Sequence, residues 1–430
     1  MSIGLFFIIF LLVLFMGFPI AGCFGLMTIL PNVFQGSFPL DPMTAVRTMS
    51  NGLNSFPLLA IPLFVLAGII MAKGGISEKL FNFFAYFVGN KTAGYPCAVV
   101  VTCLFYGAIS GSAPATTAAV GSMTIPLLIK LGYDKKFVVA LVAVAGGLGV
   151  IIPPSIPFVV YGTASGASTT ALFTAGILPG ILIGSLLMIY AFAYCKIHGE
   201  DKDLLNQNYA EIRKGGFWSI LKDSGPALLS PLFVLGSIYM GLASPTEAAA
   251  ISVVYSLLLS VFFYKSIRPK EILSVISEGV SNYASLLFII AAAVGFARVL
   301  NLLRVPVVVE EAMLSVVSSK TVFLLIVILI LLIAGCFIDT IPAIMIFTPI
   351  FMPLIKLFEI DLVHFGILMT VALAIGFVTP PMGINLFVAS NLTKIPLVEI
   401  AKKAMPMVVM FFVALLLITF IPGISLLLVK

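Results

Sequence analysis

Long apolar runs separated by short polar punctuation dominate the chain, as at 322–338 and 404–422. With their flanks, such runs are long enough for helices crossing a hydrocarbon core of about 30 Å, and the alternating pattern of barrel strands is absent. The pattern predicts an all-α polytopic membrane protein. One stretch departs from it. KIHGEDKDLLNQNYAEIRKGGFWSILKD, from 196 to 223, is the only soluble-looking segment of any length, and it reads as an interfacial amphipathic helix with Trp218 at the headgroup level. The chain then divides into a first unit (1–195), a linker (196–224) and a second unit (225–430).

The two units repeat one another. A shift of 227 residues aligns 125–154 with 352–381 without a gap and makes nine of thirty positions identical, among them Pro126 with Pro353, Asp134 with Asp361 and Gly149 with Gly376. The register extends to Gly52 with Gly279 and Gly68 with Gly295, then slips by one to pair Gly107 with Gly335 and Pro114 with Pro342. Each unit reads as two helices, an amphipathic stretch, a Gly-rich re-entrant hairpin, a helix interrupted mid-span, another interrupted at Pro-Pro, and a last plain helix. The Pro-Pro breaks are GVIIPPSIP at 149–157 and GFVTPPMGI at 376–384. Unwound backbone survives at membrane depth only where it is buried in protein or lines a cavity, so duplicated breaks point to a secondary transporter.

Composition agrees with a membrane protein. The 430 residues are 61% hydrophobic and 9% charged, with a mean hydropathy of +1.22. The net charge of +6 arises from Lys and Arg in loops and at helix ends, where positive-inside bias explains them; no nucleic-acid surface is implied. Lys130, Lys135 and Lys136, the linker cations, Lys265, Arg268 and Lys270, and Lys394, Lys402 and Lys403 should all face the cytoplasm. The loop at 356–364, repeat mate of the one at 130–136, carries Glu359 and Asp361 against a single Lys. Equivalent loops then face opposite sides, which predicts inverted repeats. Five scattered cysteines and two histidines lack ligand spacing. The N-terminal apolar run resembles a signal peptide but has no basic region ahead of it, so it is expected to be a retained first helix.

Four places could carry chemistry. YGAISGSAPATTAAVGSMTIP, 106–126, should unwind between Ser110 and Thr117, placing freed carbonyls beside the hydroxyls of Ser110, Ser112, Thr116 and Thr117, an environment for a hard monovalent cation; close helix packing by small residues is the other reading. Its repeat mate, GCFIDTIPAIMIFTP at 335–349, places Asp339 and Thr340 before Pro342. A carboxylate in a bilayer core needs a cation, a partner or a functional proton. The Pro-Pro breaks offer carbonyls from Gly149 through Ile152 to Pro153 and from Gly376 to Pro380, with the Thr379 hydroxyl, because proline removes donors and leaves acceptors; simple kinks are the alternative. Arg298, in AAAVGFARVLNLLR at the end of the second candidate hairpin, could pair with a substrate carboxylate, or snorkel to the interface. Thr116 and Ser55 are the further candidates for substrate contact. Ser244-Pro245-Thr246-Glu247 reads as a capping box opening a helix.

Together, the paired Pro-Pro breaks, SFPLLAIPLFVLAG at 55–68, SGSAPATTAAVGS at 110–122, SPTEAAA at 244–250 and GCFIDTIPAI at 335–344 resemble the large membrane subunit of tripartite ATP-independent periplasmic (TRAP) transporters, over essentially the whole chain. The resemblance implies an elevator-type transporter, with a mobile domain of about 50–165 and 275–390 and a scaffold from the remainder, multi-pass in the bacterial inner membrane. It implies partners: a small four-helix membrane subunit, expected here as a separate chain, and a soluble periplasmic binding protein that delivers a small organic acid of the sialic acid or C4-dicarboxylate class. It also implies sodium ions, one at Ser110–Ser112 with Gly149–Pro153, a second at Asp339 and Thr340 with Gly376–Pro380. The rival readings are a single-component ion-coupled anion transporter, a passive channel and an intramembrane hydrolase. The last lacks a second intramembrane acid near Asp339 and a base near Ser110, so no enzyme is expected.

Overall fold

The computed structural model describes residues 2–34, 38–317 and 319–429, and among them it holds helices and no strand. The first unit comprises α1 (Ile3–Phe15), α2 (Ile20–Phe34), α3 (Pro42–Leu53), α4 (Ala60–Lys73), α5 (Ile76–Val88), α6 (Gly94–Ser110), α7 (Ala113–Lys130), α8 (Lys135–Gly146), α9 (Ile156–Ser165) and α10 (Thr169–His198). After α11 (Lys202–Arg213), the second unit comprises α12 (Gly216–Tyr239), α13 (Pro245–Leu258), α14 (Ile272–Leu302), α15 (Val305–Leu314), α16 (Lys320–Gly335), α17 (Thr340–Leu357), α18 (Leu362–Gly376), α19 (Ile384–Thr393), α20 (Leu397–Phe420) and the short α21 (Gly423–Leu426). Six helical segments, including α10, α14, α17 and α20, are long and apolar enough to cross a membrane. The chain is a multi-pass membrane protein.

Residues repeated in the sequence recur in the same structural jobs. Asp134 caps α8 by accepting from the Phe137 amide at 2.6 Å, and Asp361 caps α18 by accepting from the Val363 and His364 amides at 2.8 and 3.1 Å. Each satisfies amides that the first turn of a helix leaves without partners. The capping box at α13 forms as its sequence predicts: the Glu247 amide donates to Ser244 Oγ at 3.3 Å and the Ser244 amide to the Glu247 carboxylate at 2.7 Å.

Most of the densest helix packing falls within two groups, which are joined where α5 packs on α6 and where α14 and α15 pack on α17. In one, α4 packs on α13 and α14, α14 on α2 and α3, and α12 on α5. In the other, α8 packs on α7 and α20, α16 on α18, α17 on α9, and α10 on α20. Thus α4 and α14, within the ranges expected to be mobile, pack with α2, α3 and α13.

Three local expectations change. The second candidate hairpin does not form: 272–302 is one helix, because its glycines come without proline and the backbone ladder runs unbroken until Arg304, whose φ of 56° turns the chain into α15. The break expected from Ser110 to Thr117 shrinks to Gly111 and Ser112, since Pro114 falls in the first turn of α7, where its missing amide costs no helical bond. The polar linker is not one interfacial helix. It holds the end of α10, all of α11 and the start of α12, where Trp218 is 78% exposed. At its upstream end the Glu200 carboxylate accepts from the Ala93 amide at 3.0 and 3.1 Å and from the Tyr133 hydroxyl at 2.6 Å. Downstream, Asp223 pairs with Lys79 at 2.8 Å, and its carbonyl accepts from the Tyr264 hydroxyl at 2.8 Å.

Candidate functional site

α6 and α7 pack against each other around the tip at Gly111–Ser112. Gly111 ends α6 at φ 61°, a conformation that favours glycine. The oxygen-bearing side chains gather behind this tip. Ser110 Oγ lies 2.9 Å from Thr116 Oγ1, which donates to the Ser112 carbonyl at 2.8 Å. Gly149, on the 3-10 turn that follows α8, comes so near that a Cβ there would lie 2.7 Å from the Ser112 carbonyl oxygen. The Gly111 carbonyl accepts from the Ile156 amide at 3.3 Å, tying the tip to the start of α9 just beyond Pro153–Pro154.

The second unit repeats this arrangement with a longer break, Cys336–Asp339. Asp339 caps α17, its carboxylate accepting from the Thr340 amide at 2.6 Å. The Cys336 carbonyl accepts from the Met382 amide at 3.3 Å, which ties this break to the turn after Pro380–Pro381. Thr379 Oγ1 donates to the Ile375 carbonyl at 2.8 Å. Thr340 Oγ1 is buried with no protein partner, and a buried hydroxyl left in that state needs an ion or a water. The two Pro-Pro turns differ in exposure: Gly149, Ile152 and Pro153 are buried, as is Gly376, whereas Thr379 is half-buried and Pro380 exposed.

One cavity of about 700 Å³ joins the two breaks. Ser110, Gly111 and Ser112 line it from the first unit, Asp339 and Thr340 from the second. Its opposite wall is formed by α4 and α14, which contribute Lys73, Glu278 and Asn282. The cavity therefore lies between the two packing groups. Of the sequence-predicted substrate contacts, Thr116 is buried behind Ser110, Ser55 is half-buried ahead of α4, and Arg298 projects from the exposed face of α14; none of the three lines the cavity. Lys73, Glu278 and Asn282 escaped sequence reasoning. Each sits near the end of an apolar run, where a polar residue reads as interfacial, and the sole signal was Glu278 beside the repeat glycine Gly279.

Apart from the Cys336 thiol, which donates back to the Leu332 carbonyl at 3.2 Å, the side-chain donors of Ser110, Ser112, Thr116, Asp339 and Thr340 at the two tips are hydroxyl or carboxylate oxygens. Hard oxygen ligands suit an alkali or alkaline-earth cation rather than a soft transition metal. The orphaned Thr340 hydroxyl beside Asp339 fits such an ion.

The family model described as "Tripartite ATP-independent periplasmic transporter, DctM component" matches residues 7–424. The chain belongs to the DctM family. Among its relatives, the DctM-family chain is 39% identical over 96% of its length to the isethionate TRAP transporter permease protein DctMQ of Oleidesulfovibrio alaskensis, spanning 64% of that protein. It is 39% identical to the C4-dicarboxylate TRAP transporter large permease protein DctM of Pseudomonas aeruginosa, over 86% of each chain. To the protein of the same description from Vibrio cholerae it is 34% identical over 99% of this chain and 97% of that one. Its fold is similar to that of the YdaH transporter of Alcanivorax borkumensis, with a TM-score of 0.59 at 14% identity, covering 94% of this chain and 97% of that one.

Proposed function

We propose that this DctM-family chain is the large permease of a secondary active transporter that takes up a small organic acid across the bacterial inner membrane with sodium as coupling ion. The observation that carries the reading is a cavity onto which both helix breaks open. Ser110 and Ser112 with the Gly149–Pro153 turn would hold one sodium ion; Asp339, Thr340 and Thr379 with the Gly376–Pro380 turn would hold a second. The relatives' names support the substrate class, since isethionate, C4-dicarboxylates and 2,3-diketo-L-gulonate are all organic acid anions. Sialic acid remains within that class.

Two inverted repeats and an elevator motion complete the proposal. The group built from α6–α10 and α16–α21 would carry the tips and their cargo past the group built from α1–α5 and α12–α15. This shifts the mobile ranges expected from sequence: α4 and α14 leave them because they pack with the second group, and α10, α20 and α21, beyond residues 165 and 390, join them because they pack with the first. A soluble periplasmic binding protein would deliver the acid and a small membrane subunit would brace the stationary group.

Reconstitution with both partners in proteoliposomes tests the reading. Uptake should require an inward sodium gradient and no ATP. Ser112→Ala and Asp339→Ala should each raise the sodium concentration for half-maximal uptake. Equal uptake without sodium, or unchanged sodium dependence in both variants, refutes the coupling and its sites.

A further inference from the structure

Lys73 and Glu278 form an ion pair across the wall of the cavity that faces the two tips. Lys73 ends α4 and Glu278 lies in the first turns of α14. Among the described residues lining the cavity, Lys73 is the only cation, while Glu278 and Asp339 are the acids. The paired side chains are 40% and 49% exposed, so water reaches both and either can exchange its partner without being stripped of solvent.

The pair also has an address. Just beyond Lys73, the Gly74 carbonyl accepts from Ser266 Oγ at 3.0 Å, within the loop that carries Lys265, Arg268 and Lys270. Lys79, one turn into α5, holds Asp223 at the end of the linker. Positive-inside bias assigns both loops to the cytoplasm. The pair thus stands at the cytoplasmic mouth of the cavity.

We propose that Lys73 is a carboxylate relay at this mouth: Glu278 holds its ammonium in the empty protein, and the acidic group of the departing or entering substrate displaces Glu278 from it. The inference rests on the organic-acid reading above. An anion leaving the tips meets Glu278 as a repulsive group, and Lys73 is the one attractive charge along that wall. Glu278 acts as a competitor for the ammonium. It lowers affinity at the mouth and allows release, whereas an unopposed lysine would retain the anion. Under the elevator motion proposed above, the contact exists only while the tips face this wall.

The relay and a merely structural ion pair predict opposite signs for one substitution. The assay is uptake and counterflow by the complete transporter in proteoliposomes, offered succinate, isethionate, 2,3-diketo-L-gulonate and N-acetylneuraminate, at matched amounts of folded protein. Under the relay, Glu278→Gln lowers the half-saturating concentration on the cytoplasmic side about threefold or more, because it frees Lys73. Lys73→Gln raises it roughly tenfold, the scale of one charge-assisted hydrogen bond. The double substitution behaves like Lys73→Gln alone. A structural pair requires that each single change weaken the protein and that the double neutral variant recover; that pattern, or wild-type behaviour in both singles, overturns the relay. Should Lys73→Gln not fold, the sign for Glu278→Gln decides alone. If the wild-type transporter takes up none of the four acids, the organic-acid reading has failed, and the relay falls with it.

Discussion

Gly107 and Gly149 meet backbone to backbone: a methyl group on Gly107 would lie 2.8 Å from the Gly149 Cα, closer than real carbon contacts allow. The second unit repeats the crossing, with a Cβ on Gly335 falling 3.3 Å from the Gly376 Cα. These crossings hold each helix break against its Pro-Pro turn. Gly107→Ala should therefore destabilise the protein by about 1–3 kcal/mol, the usual cost of overpacking. Gly4→Ala, with nothing within 4 Å, should not. Thermal unfolding in one detergent compares the two, and an unshifted melting temperature for Gly107→Ala would show that the crossing yields.

Lys135, which opens α8, and Glu359, in the turn ahead of α18, are exposed at equivalent helix connections of the two units. In a background without native cysteines, Lys135→Cys should react with an impermeant thiol reagent only from the cytoplasm and Glu359→Cys only from the periplasm. Labelling from one side for both would remove the inversion.

Arg298 projects from the exposed face of α14, outside the cavity. In that position the long side chain can reach the interface, so Arg298→Lys should keep wild-type uptake kinetics while Arg298→Ala loses membrane-inserted protein. A roughly tenfold loss of substrate affinity in both, at matched protein levels, would instead restore Arg298 as the substrate anchor.

Ser244→Ala removes the hydroxyl that accepts from the Glu247 amide and loosens the return bond from the Ser244 amide to the Glu247 carboxylate. The expected cost is about 0.5–2 kcal/mol. It should appear as a lower melting temperature without a change in sodium dependence, because the α13 start lies away from the tips.

The helix breaks were legible because proline and glycine act locally. Pro-Pro removes amides wherever it stands, and Pro114 and Pro342 mark the first turns of α7 and α17. The paired aspartates Asp134 and Asp361 were legible as repeat positions, although their capping role emerged only with the helices that they open. Hairpins were less legible. Gly295 in α14 resembles a turn residue in sequence, yet its missing side chain serves a close approach to Met49 and Thr28. The cavity wall was least legible: Lys73 and Glu278 stand 205 positions apart, and nothing in the local pattern of either announces the other.

The polar linker is fastened at both ends. Glu200 grips the Ala93 amide and the Tyr133 hydroxyl beside the tip-bearing helices, while Asp223 is held by Lys79 and Tyr264 on the opposite group. Between these anchors runs α11, whose twelve residues make a rod of about 18 Å at ~1.5 Å per residue. A rod pinned to two bodies limits how far they can slide past one another before it must swing or its fastenings give way. Under the proposed elevator motion the linker would act as a mechanical stop, alongside the shorter connection from α5 to α6.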